Sequence, residues 1–261
     1  MVMNLELVIQ EIGQWVDQVA AFQRQAAELS HMGVQVKSDE TDYVTDIDLQ
    51  SEEMLIDFIR SRYPDHSILT EERGKLDGDA DYLWLIDPID GTTNYIHGFP
   101  MSSISIALQH RGISVAGMVH SPGMDMRFQA IRGGGAYLNG RRLEVSSTNE
   151  LKHSLLSTGF PNGLGKQALN LPYFNRMLGK VSGIRRTGSA ALDLCFVAAS
   201  YFDGYWEFDL NAWDMCAGAL IAEEAGGKVQ RTNIDGHALT LCCNPNLWEV
   251  LHKELLEPEE I

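Results

Sequence analysis

The stretch that most constrains this chain runs from Trp84 to Asn94: Trp-Leu-Ile-Asp-Pro-Ile-Asp-Gly-Thr-Thr-Asn. Tyr82 to Ile86 is a short apolar run, the length of a buried strand. Asp87, Pro88 and Asp90 follow at once. Pro88 has no N–H to give to a sheet ladder, so the strand is expected to end there. Gly91, Thr92 and Thr93 read as a helix start, with free backbone N–H groups and hydroxyl side chains. Two carboxylates and a helix N-terminus therefore fall within a few residues of one another. Oxygen ligands suit a hard cation such as Mg²⁺, and a helix N-terminus suits a phosphate. The pairing points to phosphoryl chemistry, although Asp, Pro and Gly also build ordinary turns.

Two further stretches give this one a context. Trp213-Asp214-Met215-Cys216-Ala217-Gly218 lies far downstream, and the acidic pair Glu71-Glu72 ends a short strand expected over Ser67 to Thr70. Taken together and in this order, the chain resembles the inositol monophosphatase family. Its signatures are W-x-[IL]-D-P-[IL]-D-G-T-x-[NS] and W-D-x-x-A-[GA], with an acidic pair ending an earlier strand. The resemblance runs from the first helix to about Asn244.

It implies an α/β fold with mixed sheets, a layered α-β-α-β-α sandwich of the sugar-phosphatase type in two tightly packed halves. It also implies a Mg²⁺-dependent phosphomonoesterase that hydrolyses inositol monophosphate by direct attack of a metal-activated water, with two or three Mg²⁺ per site. Under it, Glu71, Asp87 and the main-chain carbonyl of Ile89 match one metal's ligands, and Asp87, Asp90 and Asp214 match a second's. Asp42 to Asp48 matches D-x-V-T-x-x-D, so Asp48 pairs with Thr92 to orient the water, with Glu71 beside them in the catalytic group. A carboxylate that accepts the Thr hydroxyl proton leaves the hydroxyl oxygen free to receive another. Lys37 stands where the family often has a basic residue. Gly91 and Thr92 would hold the phosphate through backbone N–H groups. Gly188, Ser189 and Ala190 match a helix start facing the substrate, and Asp214 adjoins it. Glu207 matches a carboxylate that binds a polyol hydroxyl, with Asp209 as its competitor. Ser189 also reads as an ordinary N-cap. Lithium sensitivity and a homodimer belong to the same set of expectations. Related sugar or polyol phosphatases, acting on fructose 1,6-bisphosphate or histidinol phosphate, share the metal motifs. A regulatory, protein-binding role on the same fold is the alternative from another class.

The rest of the chain fits a single large unit in two parts, 1–145 and 146–261, meeting at a seam near Ser146 with no Pro/Ser-rich linker. Asn4 caps a helix whose apolar residues recur from Leu5 to Phe22 at helical spacing. A short hairpin over 34–44 and a helix over roughly 48–62 follow. Residues 73–81 read as a polar loop. The strands 102–110, 113–121 and 126–132 and the Asn139-Gly140 hairpin signal make a mostly antiparallel sheet. From Leu155 strands and helices alternate: strands 155–158, 184–187, 204–208, 228–230 and 239–243, and helices 166–180 (starting or kinking at Pro172), 189–200, 212–225 and 246–256. Trp84 and Trp213 are expected to pack in the core and hold the ligand segments rigid.

Charge decides between partners. With 36 acidic against 20 basic residues, a net charge of −16 argues against nucleic acid binding by a general basic surface. An anionic phosphate would be repelled by such a chain unless cations intervene, and bound divalent ions invert the local field. No run of eighteen apolar residues marks a membrane span. The first residues lack the basic region of a secretory signal. Cys195, Cys216, Cys242 and Cys243 lack metal-ligand spacing and read as reduced thiols of a cytoplasmic protein, the adjacent pair facing opposite sides of a strand.

Overall fold

The computed structural model describes residues 3–28, 33–36, 43–161 and 166–256; the position expected for Lys37 lies outside them. The elements in chain order are α1 Leu5–Glu28, β1 Gln35–Val36, β2 Tyr43–Val44, α2 Asp46–Arg62, β3 His66–Thr70, β4 Gly74–Leu76, β5 Asp79–Asp90, α3 Thr92–Ile96, β6 Ser103–His110, β7 Ile113–Ser121, β8 Met126–Ile131, β9 Gly135–Leu138, β10 Arg141–Arg142, β11 Leu155–Thr158, α4 Leu171–Leu178, β12 Gly183–Arg185, α5 Ala190–Ala198, β13 Gly204–Phe208, α6 Ala212–Glu224, β14 Lys228–Ile234, β15 His237–Cys243 and α7 Trp248–Leu256.

Two sheets carry the fold. The first has eight strands in the order β10-β9-β8-β7-β6-β5-β3-β4, and the second has five in the order β12-β11-β13-β15-β14. In the first sheet only β3 and β5 run parallel; in the second, β11 is parallel to both β12 and β13. Strand alternation divides most of the apolar residues into three large cores, and Ala26, Ile47 and Ile89 form a smaller fourth. Trp84, Ile86, Ile104 and Ile106 face α1 and α2. Leu85, Ala107, Val119 and Phe128 face the other way, onto α5 and α6, and Tyr205 and Cys242 of the second sheet close the same core from beyond. Trp206, Phe208, Leu241 and Cys243 pack on α7 and on Met177 of α4. The result is five layers, helix–sheet–helix–sheet–helix. Cys242 and Cys243 indeed lie in different cores.

Local chemistry sets the element ends. Asn4 Oδ1 accepts the amides of Glu6 and Leu7 at 3.1 and 3.2 Å, capping α1. Thr45 and Asp48 form a reciprocal capping box at the start of α2, so the helix begins at Asp46. Asn139 and Gly140 take φ of 48° and 81°, the left-handed pair a two-residue hairpin demands.

Several expectations are corrected. β5 does not stop at Pro88: it continues to Asp90, which pairs with Ser103 after a register break between Asp87 and Asp90. The bulge leaves Pro88 out of the ladder, so its missing N–H disrupts no pairing. Residues 73–81 are not a loop throughout: β4 returns on β3, and β5 starts at Asp79. The expected helix over 166–180 splits into a 3₁₀ turn, Lys166–Leu169, and α4, with Pro172 in the first turn of α4. β14 runs on to Ile234 because β15 pairs with its whole length. Trp84 is fully buried, but Trp213 is only partly buried, its carbonyl taking the Ser105 hydroxyl at 3.2 Å.

Candidate active site

One cleft of about 390 Å³ between the two sheets gathers most of the residues singled out in the sequence. Glu71, Asp87, Ile89, Asp90, Gly91 and Thr92 line it from the first sheet, and Gly188, Ser189, Ala190, Glu207 and Asp214 from the other side. Asp48 stands behind the wall and reaches the cleft through Thr92.

The first-sheet side is built by the bulge. Turning the chain after Asp87 lets Asp87 Oδ1 accept the Ile89 amide at 3.0 Å, and it aims Asp87 and Asp90 to one side. Gly91 then takes φ 89°, and a Cβ there would meet the carbonyls of Gly188 and Met101, each at 3.0 Å. Only glycine meets both demands. Asn94, the last residue of the motif, donates to the carbonyls of Met101 and Thr187 at 2.7 and 2.8 Å. It ties the motif to the segment leading into α5. The sequence reading gave Asn94 no role, although it closes the signature.

Asp48 is fully buried at the start of α2. Its Oδ2 takes the amide and hydroxyl of Thr45 at 2.8 and 2.5 Å, and its Oδ1 faces Thr92 Oγ1 at 3.2 Å. Thr92 Oγ1 also lies 3.0 Å from the Ile89 carbonyl. One hydroxyl proton thus has two acceptors, Asp48 and Ile89. Burial pushes the Asp48 carboxyl up to about 6 against the opposing hydrogen bonds from Thr45.

On the far side, Ser189 caps α5 by accepting the Leu192 amide at 3.3 Å, and it donates to Asp90 Oδ2 at 2.5 Å. Ala191 N also donates to that oxygen at 2.9 Å. The helix start of the second part therefore holds an acid of the first. Asp214 occupies the first turn of α6 and accepts the Asn211 amide at 2.6 Å. Its neighbours Ala217 and Gly218 have a packing reason: α6 is wedged between β7 and α5. A Cβ on Gly117 would stand 3.1 Å from Ala217 Cα, and one on Gly218 would stand 2.8 Å from Leu194 Cβ.

Glu207 projects from β13 into the cleft. Tyr205 donates its hydroxyl to Glu207 Oε2 at 2.5 Å, and burial pushes the carboxyl up to about 7. Gly159 is required opposite, because a Cβ there would collide with the Glu207 carboxyl. Asp209 is turned elsewhere, to His237 Nδ1 at 2.7 Å and the Ala238 amide at 2.9 Å. Of the two competitors, Glu207 is the one aimed inward. Two supporting acids escaped the sequence reading because single carboxylates on helices carry no local signal. Asp193, buried in α5, accepts the Thr187 hydroxyl at 2.8 Å. Glu52, buried in α2, accepts the Glu72 amide at 2.9 Å and so anchors the turn that presents Glu71.

Burial, followed by the charges of Glu71, Asp90, Asp214 and Asp48, raises the Asp87 carboxyl well above the usual range. Burial and then Asp90 do the same to Asp214. Among the described residues no three His, Cys, Asp or Glu side chains already stand as a metal cage. Asp87, Asp90 and Asp214 are each turned to a backbone N–H instead. The donor chemistry still fits a hard cation: every candidate ligand is oxygen, and beyond burial the charge of Asp90 helps to raise the carboxyls of both Asp87 and Asp214.

Comparison with known proteins agrees with this architecture. The sequence profile of the Inositol monophosphatase family matches residues 3–257. A Pseudomonas aeruginosa protein named Nus factor SuhB is 47% identical over 199 residues, 74% of this chain and 73% of that protein. The Inositol-1-monophosphatase of Rhizobium meliloti is 39% identical over 241 residues, 90% of each chain. The crystal structure of extragenic suppressor protein suhB from Bartonella henselae superposes with a TM-score of 0.90 at 33% identity, covering 97% of this chain and all of that one.

Proposed function

The chain belongs to the inositol monophosphatase family, and from that premise we propose that it is a Mg²⁺-dependent phosphomonoesterase acting on inositol monophosphate. The observation that carries the reading is the convergence of Glu71, Asp87, Asp90 and Asp214 from two separate sheets and their helices upon one cleft. These four, with the Ile89 carbonyl, would hold two or three Mg²⁺. Bound there, the cations would neutralise phosphate oxygens and lower the pKa of the attacking water.

The chain's own residues account for the remaining steps. Gly91 and Thr92 hold the phosphate through their backbone N–H groups. Of the two acceptors facing the Thr92 hydroxyl, the Ile89 carbonyl would be among the groups that hold a cation, and Asp48 is the one that takes the Thr92 proton. The Thr92 oxygen then accepts a proton from the incoming water and sets its direction. Tyr205 occupies Glu207 Oε2, which leaves Oε1 to an alcohol hydroxyl of the substrate. Gly188, Ser189 and Ala190 line the adjacent wall.

The test is phosphate release from inositol 1-phosphate with and without Mg²⁺. Thr92→Ala is expected to lower kcat by about 10²–10⁴-fold with KM little changed. An unchanged kcat would remove Thr92 from the mechanism. Absence of Mg²⁺-dependent turnover in the wild-type chain would remove the activity itself. Li⁺ inhibition, a homodimer and a cytoplasmic location are parts of the same proposal; no helix among the described residues is long and apolar enough to cross a membrane.

A second reading, a regulatory role through protein contacts, is supported by relatives at 46–48% identity that bear the name Nus factor SuhB. Such a role would survive in the Thr92→Ala protein, whereas a phenotype that depends on hydrolysis would not.

A further inference from the structure

Asn170 stands at the N-cap position of α4. Asparagine is favoured there because its side-chain oxygen can accept an amide of the first turn. This one makes no such bond. It is fully buried instead, with its side chain turned toward β11 and β13. Its Nδ2 donates to the Gly159 carbonyl at 2.6 Å and to Thr158 Oγ1 at 2.8 Å. Its Oδ1 accepts the indole Nε1–H of Trp206 at 2.7 Å. Thr158 gives its own hydroxyl proton to the Trp206 carbonyl at 2.7 Å. An indole N–H only donates and a carbonyl only accepts, so the amide fits in one orientation, with both protons and its oxygen used.

The two strands that it joins carry the alcohol side of the cleft. Their ladder stops at the pair Thr158 and Trp206. Gly159 lies just past that pair and against the Glu207 carboxyl, where a Cβ would collide. Phe160 and Pro161 continue along the cleft wall, and the Phe160 ring meets Phe174 of α4 at 5.9 Å. Asn170 thus holds both the residue before Glu207 and the residue opposite it, although it does not itself line the cleft.

We propose, resting on the phosphatase reading, that Asn170 is a positioning residue for substrate choice. By tying Gly159 to Trp206 it fixes the direction of the Glu207 carboxyl, and with it the cleft's preference for an alcohol portion rich in hydroxyls. An N-cap side chain is spent on the site rather than on its own helix.

The experiment compares inositol 1-phosphate with para-nitrophenyl phosphate, whose alcohol portion has no hydroxyl to offer Glu207. kcat and KM are measured for both on the full chain with Mg²⁺. Asn170→Ala should lower kcat/KM for inositol 1-phosphate by about tenfold, chiefly through KM, the size of one hydrogen bond. It should leave para-nitrophenyl phosphate within about twofold, because the interactions common to both esters are untouched. In a Glu207→Ala background, Asn170→Ala should change the ratio between the esters no further, since the two residues act as one unit. A further loss there, or equal losses on both esters in the single variant, would overturn the proposal and leave Asn170 a residue of the fold. Trp206→Phe keeps a ring in the core and removes only the donor. It should shift the ratio in the same direction and less strongly, and it decides the matter if Asn170→Ala does not fold: an unchanged ratio then overturns the proposal. If the wild type hydrolyses neither ester, the phosphatase reading fails, and a crystal structure of the same variant decides this inference. Displacement of Gly159 and the Glu207 carboxyl from the wild-type arrangement supports it, and an unmoved pair overturns it.

Discussion

Glu207 shows how one residue can serve a site at the expense of the fold. Its carboxyl holds its proton up to about pH 7 in the folded chain, against an ordinary value of 4.5. The folded state therefore binds the extra proton between these values, and stability falls as pH rises through that window. Above pH 7 the full penalty of a buried carboxylate is present. Glu207→Gln should then be more stable than the wild type at pH 8, by up to about 3 kcal/mol. The difference should shrink towards pH 4.5. Urea unfolding of both proteins in EDTA at pH 5 and pH 8 checks this; a difference that does not change with pH would show that burial does not govern the group. A stabilised variant that turns over inositol 1-phosphate poorly would place Glu207 among residues retained for activity rather than for folding. Asp87 and Asp214, pushed well above the usual range by burial and by neighbouring acids, carry the same conflict, and Asp90, raised to about 6, shares it.

At the scale of elements, the site depends on how α6 is seated. The helix packs on β5 to β9 and on α5, and Asp214 stands in its first turn, so its depth fixes where that carboxylate stands. Gly117, Ala217 and Gly218 set the depth by having little or no side chain. Gly218→Ala is expected to destabilise the protein by about 1–3 kcal/mol through overpacking against Leu194 and the Ala191 carbonyl. It should also weaken the Mg²⁺ dependence of activity by displacing Asp214. The denaturation midpoint and the Mg²⁺ concentration for half-maximal activity are the two readouts. A lowered midpoint with unchanged Mg²⁺ response would separate the packing of α6 from the position of Asp214. The bulge in β5 has the parallel role on the other wall, since it sends Asp87 and Asp90 to the same side although their spacing alone would not.

For the whole molecule, the two sheets are contiguous in sequence, yet they share one core. Leu85, Val119 and Phe128 are covered by α5 and α6, which come from residues after 146. A chain of residues 1–145 would expose that apolar face and lose Asp214, and it should not unfold cooperatively on its own. Near-UV circular dichroism and urea titration of this fragment test the point. A cooperative transition with native-like aromatic signal would mean that the two parts are independent domains.

The sequence by itself determined most element positions, and its resemblance to a known family implied the layered α/β class and the acids around the cleft. It could do so because strand alternation, caps such as Asn4 and Ser189, and the signatures at 84–94 and 213–218 are local patterns. It did not reveal that β5 passes Pro88 through a bulge, because a missing N–H is harmless only where the partner strand shifts register. It gave no sign of Asn94 as a tether, Tyr205 as the partner of Glu207, or Glu52 as the anchor of the Glu71 turn. It left Glu207 and Asp209 to be separated by spacing. Only the tertiary structure turned Asp209 to His237 and Glu207 into the cleft. The contacts of Asp209 with His237, of Glu52 with Glu72 and of Asn94 with Thr187 join residues tens of positions apart, and a side chain's direction, even toward a near neighbour such as Tyr205, is set by what packs around it.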